Sequence, residues 1–241
     1  MYNRSNHTFF VGNQHKHLDL KLGKWSVIQN GVEKSIIERF SSHQINTEGK
    51  MQFCVLANLM PHHRFDILSE ALHSLTVEDR SKFTLHLIGF NFEPVLPAIP
   101  EGVEYIYYGP KEKEEIYALL SRMHVAVISG GPQYSSFMKL YDYAAVKLAV
   151  ICPVLENIIS NFSEDEIVYF RNEDAADLAR VIKKLVDEPS LAKVFGNRLF
   201  EKVKNNFTWE TIFEGIANTI TSQISLFADK TTRTQLNINA E

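Results

Sequence analysis

QFCVLANLMPHHRFDILSEAL, residues 52–72, carries the fold in one stretch. Its first six residues are almost continuously apolar, as expected of a strand covered on both faces. A polar turn with Pro61 follows, and then Phe65, Leu68 and Leu72, joined by Leu75, recur on one helical face. Strand, short turn and amphipathic helix are half of a βαβ unit, which needs a parallel sheet to pack against.

The same unit repeats on either side. Short apolar runs at 25–29, 84–88, 104–108, 125–129, 148–152 and 167–170 read as strands. Ile116, Leu119 and Leu120 lie on one face of a crossover helix that follows an acidic and basic start. Beyond the last strand, 174–186 and 190–205 read as consecutive helices separated by Pro189, which suits a first helical turn. A third helix starts near Trp209 with Thr208 as its N-cap and runs to about residue 227. The polar end, 230–241, is expected to fray. The reading is therefore α/β: a doubly wound parallel sheet with C-terminal helices. It divides the chain into an N-terminal segment or linker (1–24), one Rossmann-like domain (25–227) and a flexible tail (228–241).

Composition narrows the partners. The 241 residues are 45% hydrophobic and 22% charged, enough to bury a core without metal or disulfides. A net charge of −4 gives no electrostatic reason to expect nucleic acid as a partner. Cys54 and Cys152 lie in apolar runs and read as buried thiols of a cytoplasmic protein. No run reaches the ~18 residues that span a bilayer, and residues 1–22 hold no signal-peptide core. A soluble chain is expected, with peripheral membrane association left open.

Ligands of open parallel sheets bind where the strands' carboxyl ends meet helix N-termini. After the strand at 52–57, Asn58 to Asp66 places His62, His63 and Arg64 before a helix, a cluster suited to an anion. A solvated loop is the other reading. Adjacent His62 and His63, without further Cys or His at ligand spacing, do not make a zinc set, so no metal is expected. The second candidate is Ser129-Gly130-Gly131-Pro132-Gln133-Tyr134-Ser135-Ser136, a glycine loop running into a helix. Such a loop can cradle a diphosphate. Lys139 and Asp142, three apart, share a face: Lys139 could neutralise phosphate and Asp142 accept from ribose hydroxyls, or the two could be a surface ion pair. Asn30-Gly31 is a turn signal able to take positive φ. His86 and His124 read as core or edge histidines, and Tyr105, Tyr107 and Tyr108 as sheet packing.

Taken in order, these segments resemble the C-terminal half of retaining GT-B glycosyltransferases, a large family with many capsule and lipopolysaccharide enzymes. VIQNGVEKSIIERF (27–40) looks like the family's Pro-Asn-Gly-Val-Asp entry into the second domain. VLANLMPHHRFDILSEAL (55–72) is similar to the strand, loop and helix with basic phosphate contacts, above all in a subgroup whose loop reads Ala-Asn, then Trp-His-Gly-Tyr-Asp. FTLHLIGF (83–90) and VEYIYYGPKEKEEIYALLSRMHVAVIS (103–129) resemble the next strands. KLYDYAAVKLAVICP (139–153) resembles Lys-Leu-x-Glu-Tyr-x-Ala-x-Gly-x-Pro-Val-Ile. FRNEDAADLARVIKKLVDEPSLAKVFGNRLFEKVKNNFTWETI (170–212) is similar to the closing helices.

The resemblance implies a nucleotide-diphosphate sugar as donor substrate, with no other cofactor. By family position Asn58, His63 and Lys139 would face the diphosphate, and Asp142 stands where the family has its ribose-binding glutamate; Arg64, Ser135 and Ser136 join the candidate donor set from the loop readings above. Tyr134 replaces the first glutamate of a paired-glutamate motif, Arg64 and Lys147 replace glycines, and Ala149 a proline. The family's acceptor-side domain, with its catalytic histidine, normally precedes these segments, and 24 residues cannot form it. No catalytic residue is assigned. Two readings stay open: a donor-binding half completed by an N-terminal domain or another chain, and a degenerate, non-catalytic subunit that docks a partner glycosyltransferase.

Overall fold

The computed structural model describes residues 7–17, 24–46 and 48–238. Its strands are β1 (Thr8–Val11), β2 (Trp25–Ile28), β3 (Met51–Asn58), β4 (Phe83–Phe90), β5 (Glu104–Tyr107), β6 (Val125–Val127), β7 (Ala149–Pro153) and β8 (Val168–Phe170). Six of them form one sheet of order β5-β4-β3-β6-β7-β8, parallel throughout. The helices are α1 (Lys34–Phe40), α2 (Phe65–Ser74), α3 (Val77–Ser81), α4 (Lys113–Leu120), α5 (Met138–Ala145), α6 (Glu156–Ile159), α7 (Ala175–Asp187), α8 (Ser190–Asn206) and α9 (Trp209–Ile238).

Alternation along β3 explains the two layers. Phe53 and Val55 enter the core beneath α2 and α7, with Leu68, Leu72, Leu178 and Leu185. Cys54, one residue out of phase, enters the opposite core with Leu140, Tyr143, Leu199 and Phe200 of α5 and α8. Strands apolar on both faces thus bury both, as their composition requires. Both cysteines are buried free thiols, and burial raises their pKa. His86 bridges Tyr108 and Gln52 inside the sheet, and His124 accepts the Gln52 amide N–H at 2.9 Å.

Three expectations are corrected. The strand at 25–28 does not join the main sheet: it pairs in parallel with β1, from Thr8↔Trp25 to Val11↔Ile28, as a separate two-stranded sheet. Gly31 does not use positive φ. It is glycine because a Cβ there would lie 2.7 Å from Ile212 Cδ1 and 2.8 Å from the Phe207 carbonyl, where the chain leaving β2 meets the start of α9. Helix α9 continues to Ile238, since no Gly or Pro follows Gly215; residues 239–241 of the expected tail lie outside the described residues. Among the described residues no helix is long and apolar enough to cross a membrane.

Lys147 is also clarified. At φ 65°, its buried ammonium donates to the carbonyls of Ser41 and His43 at 2.6 and 2.9 Å, just past α1, and sits 4.8 Å above the Phe200 ring. It caps a helix end. Lys147 and Ala149 are both absent from the lining of the cleft described next.

Candidate functional site

Chain order runs β3, β4, β5 toward one edge of the sheet and β6, β7, β8 toward the other, so the direction switches between β3 and β6. Beside that switch point a cleft of about 510 Å³ opens at the carboxyl ends of β3 and β4, facing the start of α5, the helix that follows β6. This is where a doubly wound sheet leaves room for a ligand. Asn58 lines it from the end of β3 and His63 from the turn that follows, Gly89 and Phe90 from β4, Pro110 and Lys111 from the loop after β5, Ser136 and Phe137 from the end of the glycine loop, and Met138, Lys139 and Asp142 from α5.

Local geometry fixes each wall. Gly89 has φ +120°, and a Cβ there would overlap the Ala57 carbonyl of the neighbouring strand, so only glycine fits. Beside it, Asn91 at φ 63° donates from Nδ2 to Asn58 Oδ1 at 2.9 Å. That orients the Asn58 amide and leaves its N–H₂ without a protein acceptor among the described residues. A single 3-10 turn, Pro61–His63, follows; the Met60 N–H donates to His63 Nδ1 at 3.0 Å. Nδ1 therefore accepts, and Nε2 carries the ring proton of the neutral form. Burial first, then the neighbouring Lys139 and His62, lower the His63 pKa to about 4. At pH 7 His63 is a neutral donor.

Lys139 lies in the first turn of α5. Part of the side chain stays open to solvent, yet burial of the ammonium lowers its pKa to about 8. Among the described residues it forms no ion pair and no hydrogen bond. The helix start has no side-chain cap and no acidic residue in its first turn, so its orphan N–H groups and positive dipole end add to the Lys139 charge. Asp142, one turn on, accepts the Tyr117 hydroxyl at 2.5 Å. Burial raises the Asp142 pKa, while that hydrogen bond and Lys113 pull it back. A desolvated cation, a neutral imidazole donor and a desolvated carboxylate thus face one cleft.

Asn58, His63, Ser136, Lys139 and Asp142 are brought together; Ser135 and Arg64 are not among the lining residues. Arg64, at φ 51°, is the N-terminal boundary of α2, and its guanidinium is engaged by Asp66, at 2.9 Å, and by Glu173. It lines a neighbouring cleft with Asp66, Asn91 and Pro94. Its side-chain stem abuts Gly130, where an added Cβ would lie 2.5 Å from Arg64 Cβ, so the loop at 129–136 needs glycine to pass it. Sequence reasoning passed over Tyr117, Phe90 and Lys111. The glycines that close β4 and follow β5 were the available signal for the last two; nothing local marks Tyr117.

No known protein-family profile and no curated protein matches the chain by sequence. Solved structures match it by fold. Sucrose-phosphate synthase from Thermosynechococcus elongatus aligns with TM-score 0.75 at 14% identity, over 93% of this chain and 60% of that one. HepE from Anabaena, solved with UDP and glucose, aligns with TM-score 0.70 at 14% identity, over 92% of this chain and 64% of that one. WaaG, a glycosyltransferase involved in lipopolysaccharide biosynthesis, gives 0.68 at 12% identity, over 88% and 62%. The chain therefore has the fold of a Rossmann-like GT-B half and spans less than two thirds of each of these structures.

Proposed function

We propose that the chain is the donor-binding part of a glycosyltransferase and holds a nucleotide-diphosphate sugar in the cleft between the carboxyl ends of β3 and β4 and the start of α5. The observation that carries this reading is Lys139: an ammonium kept in a desolvated cleft at a helix start, with no ion pair or hydrogen bond among the described residues. An unpaired buried charge is costly unless a ligand completes it. Lys139, His63 Nε2–H, the Asn58 amide and the uncapped start of α5 suit a diphosphate. Asp142, oriented by Tyr117, suits ribose hydroxyls, and Phe90 with Pro110 supplies apolar surface for a base.

Catalysis would rest on positioning the sugar and stabilising the departing diphosphate. The acceptor side would come from the rest of a longer chain or from a partner chain. The β1–β2 pair supports that part of the reading, since parallel sheets are ordinarily larger and covered on both faces. Free buried cysteines and a nucleotide-sugar donor both fit the cytoplasm.

The test is thermal melting with UDP, GDP and ADP at millimolar concentration. A ligand bound to the native state alone must raise Tm. UDP is the first choice, because HepE was solved with it. No rise with any of the three overturns the proposal.

A further inference from the structure

The loop at 129–136 has no regular secondary structure, yet distant segments hold it from below. Asn157, in α6 and almost fully buried, uses its whole side chain. Its Nδ2 donates to Gln29 Oε1 and to the Ser135 carbonyl, both at 3.0 Å, and its Oδ1 accepts from Gln29 Nε2 at 3.1 Å. Asn30 grips the next residue: its backbone N–H donates to Ser136 Oγ at 3.2 Å and its Nδ2 to the Ser136 carbonyl at 2.6 Å. Behind them, Gly12 lies so close that a Cβ would come within 2.6 Å of the Tyr134 carbonyl.

We infer that Gln29, Asn30 and Asn157 are positioning residues, an amide clamp that sets the Ser135–Ser136 end of the glycine loop against the diphosphate site. This rests on the donor-binding reading above. Two amides exchanging both hydrogen bonds are planar and directional, so they fix an orientation, whereas apolar residues of equal volume would fill the same space without doing so. The position fixed matters because Ser136 lines the cleft and leads directly into the uncapped turn that carries Lys139. Because Gln29 and Asn30 follow directly on β2, the clamp also couples the two-stranded sheet to that loop.

The experiment has two arms, each run on the full chain with Asn157→Ala and, as a milder variant, Gln29→Met. In the unliganded protein, hydrogen exchange is followed at the amides of 130–137. The clamp predicts at least about tenfold faster exchange there, with β3 and α7 amides unchanged. In the second arm, UDP and uridine affinities are compared by NMR titration. UDP affinity should fall about tenfold while that of uridine stays within about twofold, since the clamp acts at the phosphate end. Unchanged loop exchange, or equal losses for UDP and uridine, overturns the inference. If the unaltered chain binds neither ligand, the donor-binding reading fails instead, and the exchange arm alone decides the clamp.

Discussion

Replacing Lys139 with methionine separates a ligand-binding charge from a structural one. The ammonium titrates at about 8 instead of 10.5. At about 1.4 kcal/mol per pH unit, that bounds the cost of keeping it charged at pH 7 at about 3 kcal/mol. The partly open side chain reduces this to about 1–2 kcal/mol. The sign follows from linkage. A lysine with a lowered folded pKa penalises the fold fully below that pKa, and the penalty fades as pH rises from 8 to 10.5. Methionine keeps the stem's packing and removes the penalty, so Lys139→Met should raise Tm at pH 7 by about 3 to 6 °C for a chain of this size, and by little at pH 10. Its UDP affinity should fall about a hundredfold, the worth of a charge-assisted phosphate contact of about 3 kcal/mol. Differential scanning calorimetry and isothermal titration calorimetry read the two effects. A variant that is less stable and binds UDP normally would refute the reasoning, because Lys139 would then be serving the fold.

The other predictions follow from the same geometry. Asp142→Asn keeps the Tyr117 hydrogen bond but removes a desolvated charge, so melting at pH 7 should be unchanged or slightly higher while calorimetry records about a tenfold loss of UDP affinity. UDP affinity of the unaltered protein should hold from pH 7 to 8 and then fall by up to about a decade per pH unit as free Lys139 loses its proton; titrations at pH 7 to 9.5 that stay flat would contradict this. Arg64→Ala should leave the UDP Kd within about twofold, since the guanidinium already serves Asp66 and Glu173, and should cost about 1 kcal/mol or less in urea unfolding.

Much of the fold was legible in residue order. The strands of the main sheet were found to within about two residues, because runs apolar on both faces admit few other readings. β1 was passed over: four residues, Thr8 to Val11, followed by a polar stretch, carry too short a pattern. Period alone also cannot choose a strand's partner, which is why β2 was assigned to the wrong sheet. At the candidate cleft, the shared face of Lys139 and Asp142 was legible from their three-residue spacing, which left an ion pair between them open; the two line one cleft without an ion pair between them. What holds or diverts the site was not legible: the Tyr117–Asp142 bond, the Arg64–Glu173 pair and the Gln29–Asn157 amides join residues 25, 109 and 128 positions apart. Lys147 departs from the family pattern where a glycine was expected, and only its reach to the end of α1 explains it.

A crystal structure of the chain with UDP would show whether Lys139 serves a phosphate. The expected complex has a diphosphate within hydrogen-bond reach of Lys139 Nζ and His63 Nε2, with the ribose on Asp142. UDP seated in any other cavity, or a Lys139 that leaves the cleft to pair with a protein carboxylate, would contradict it.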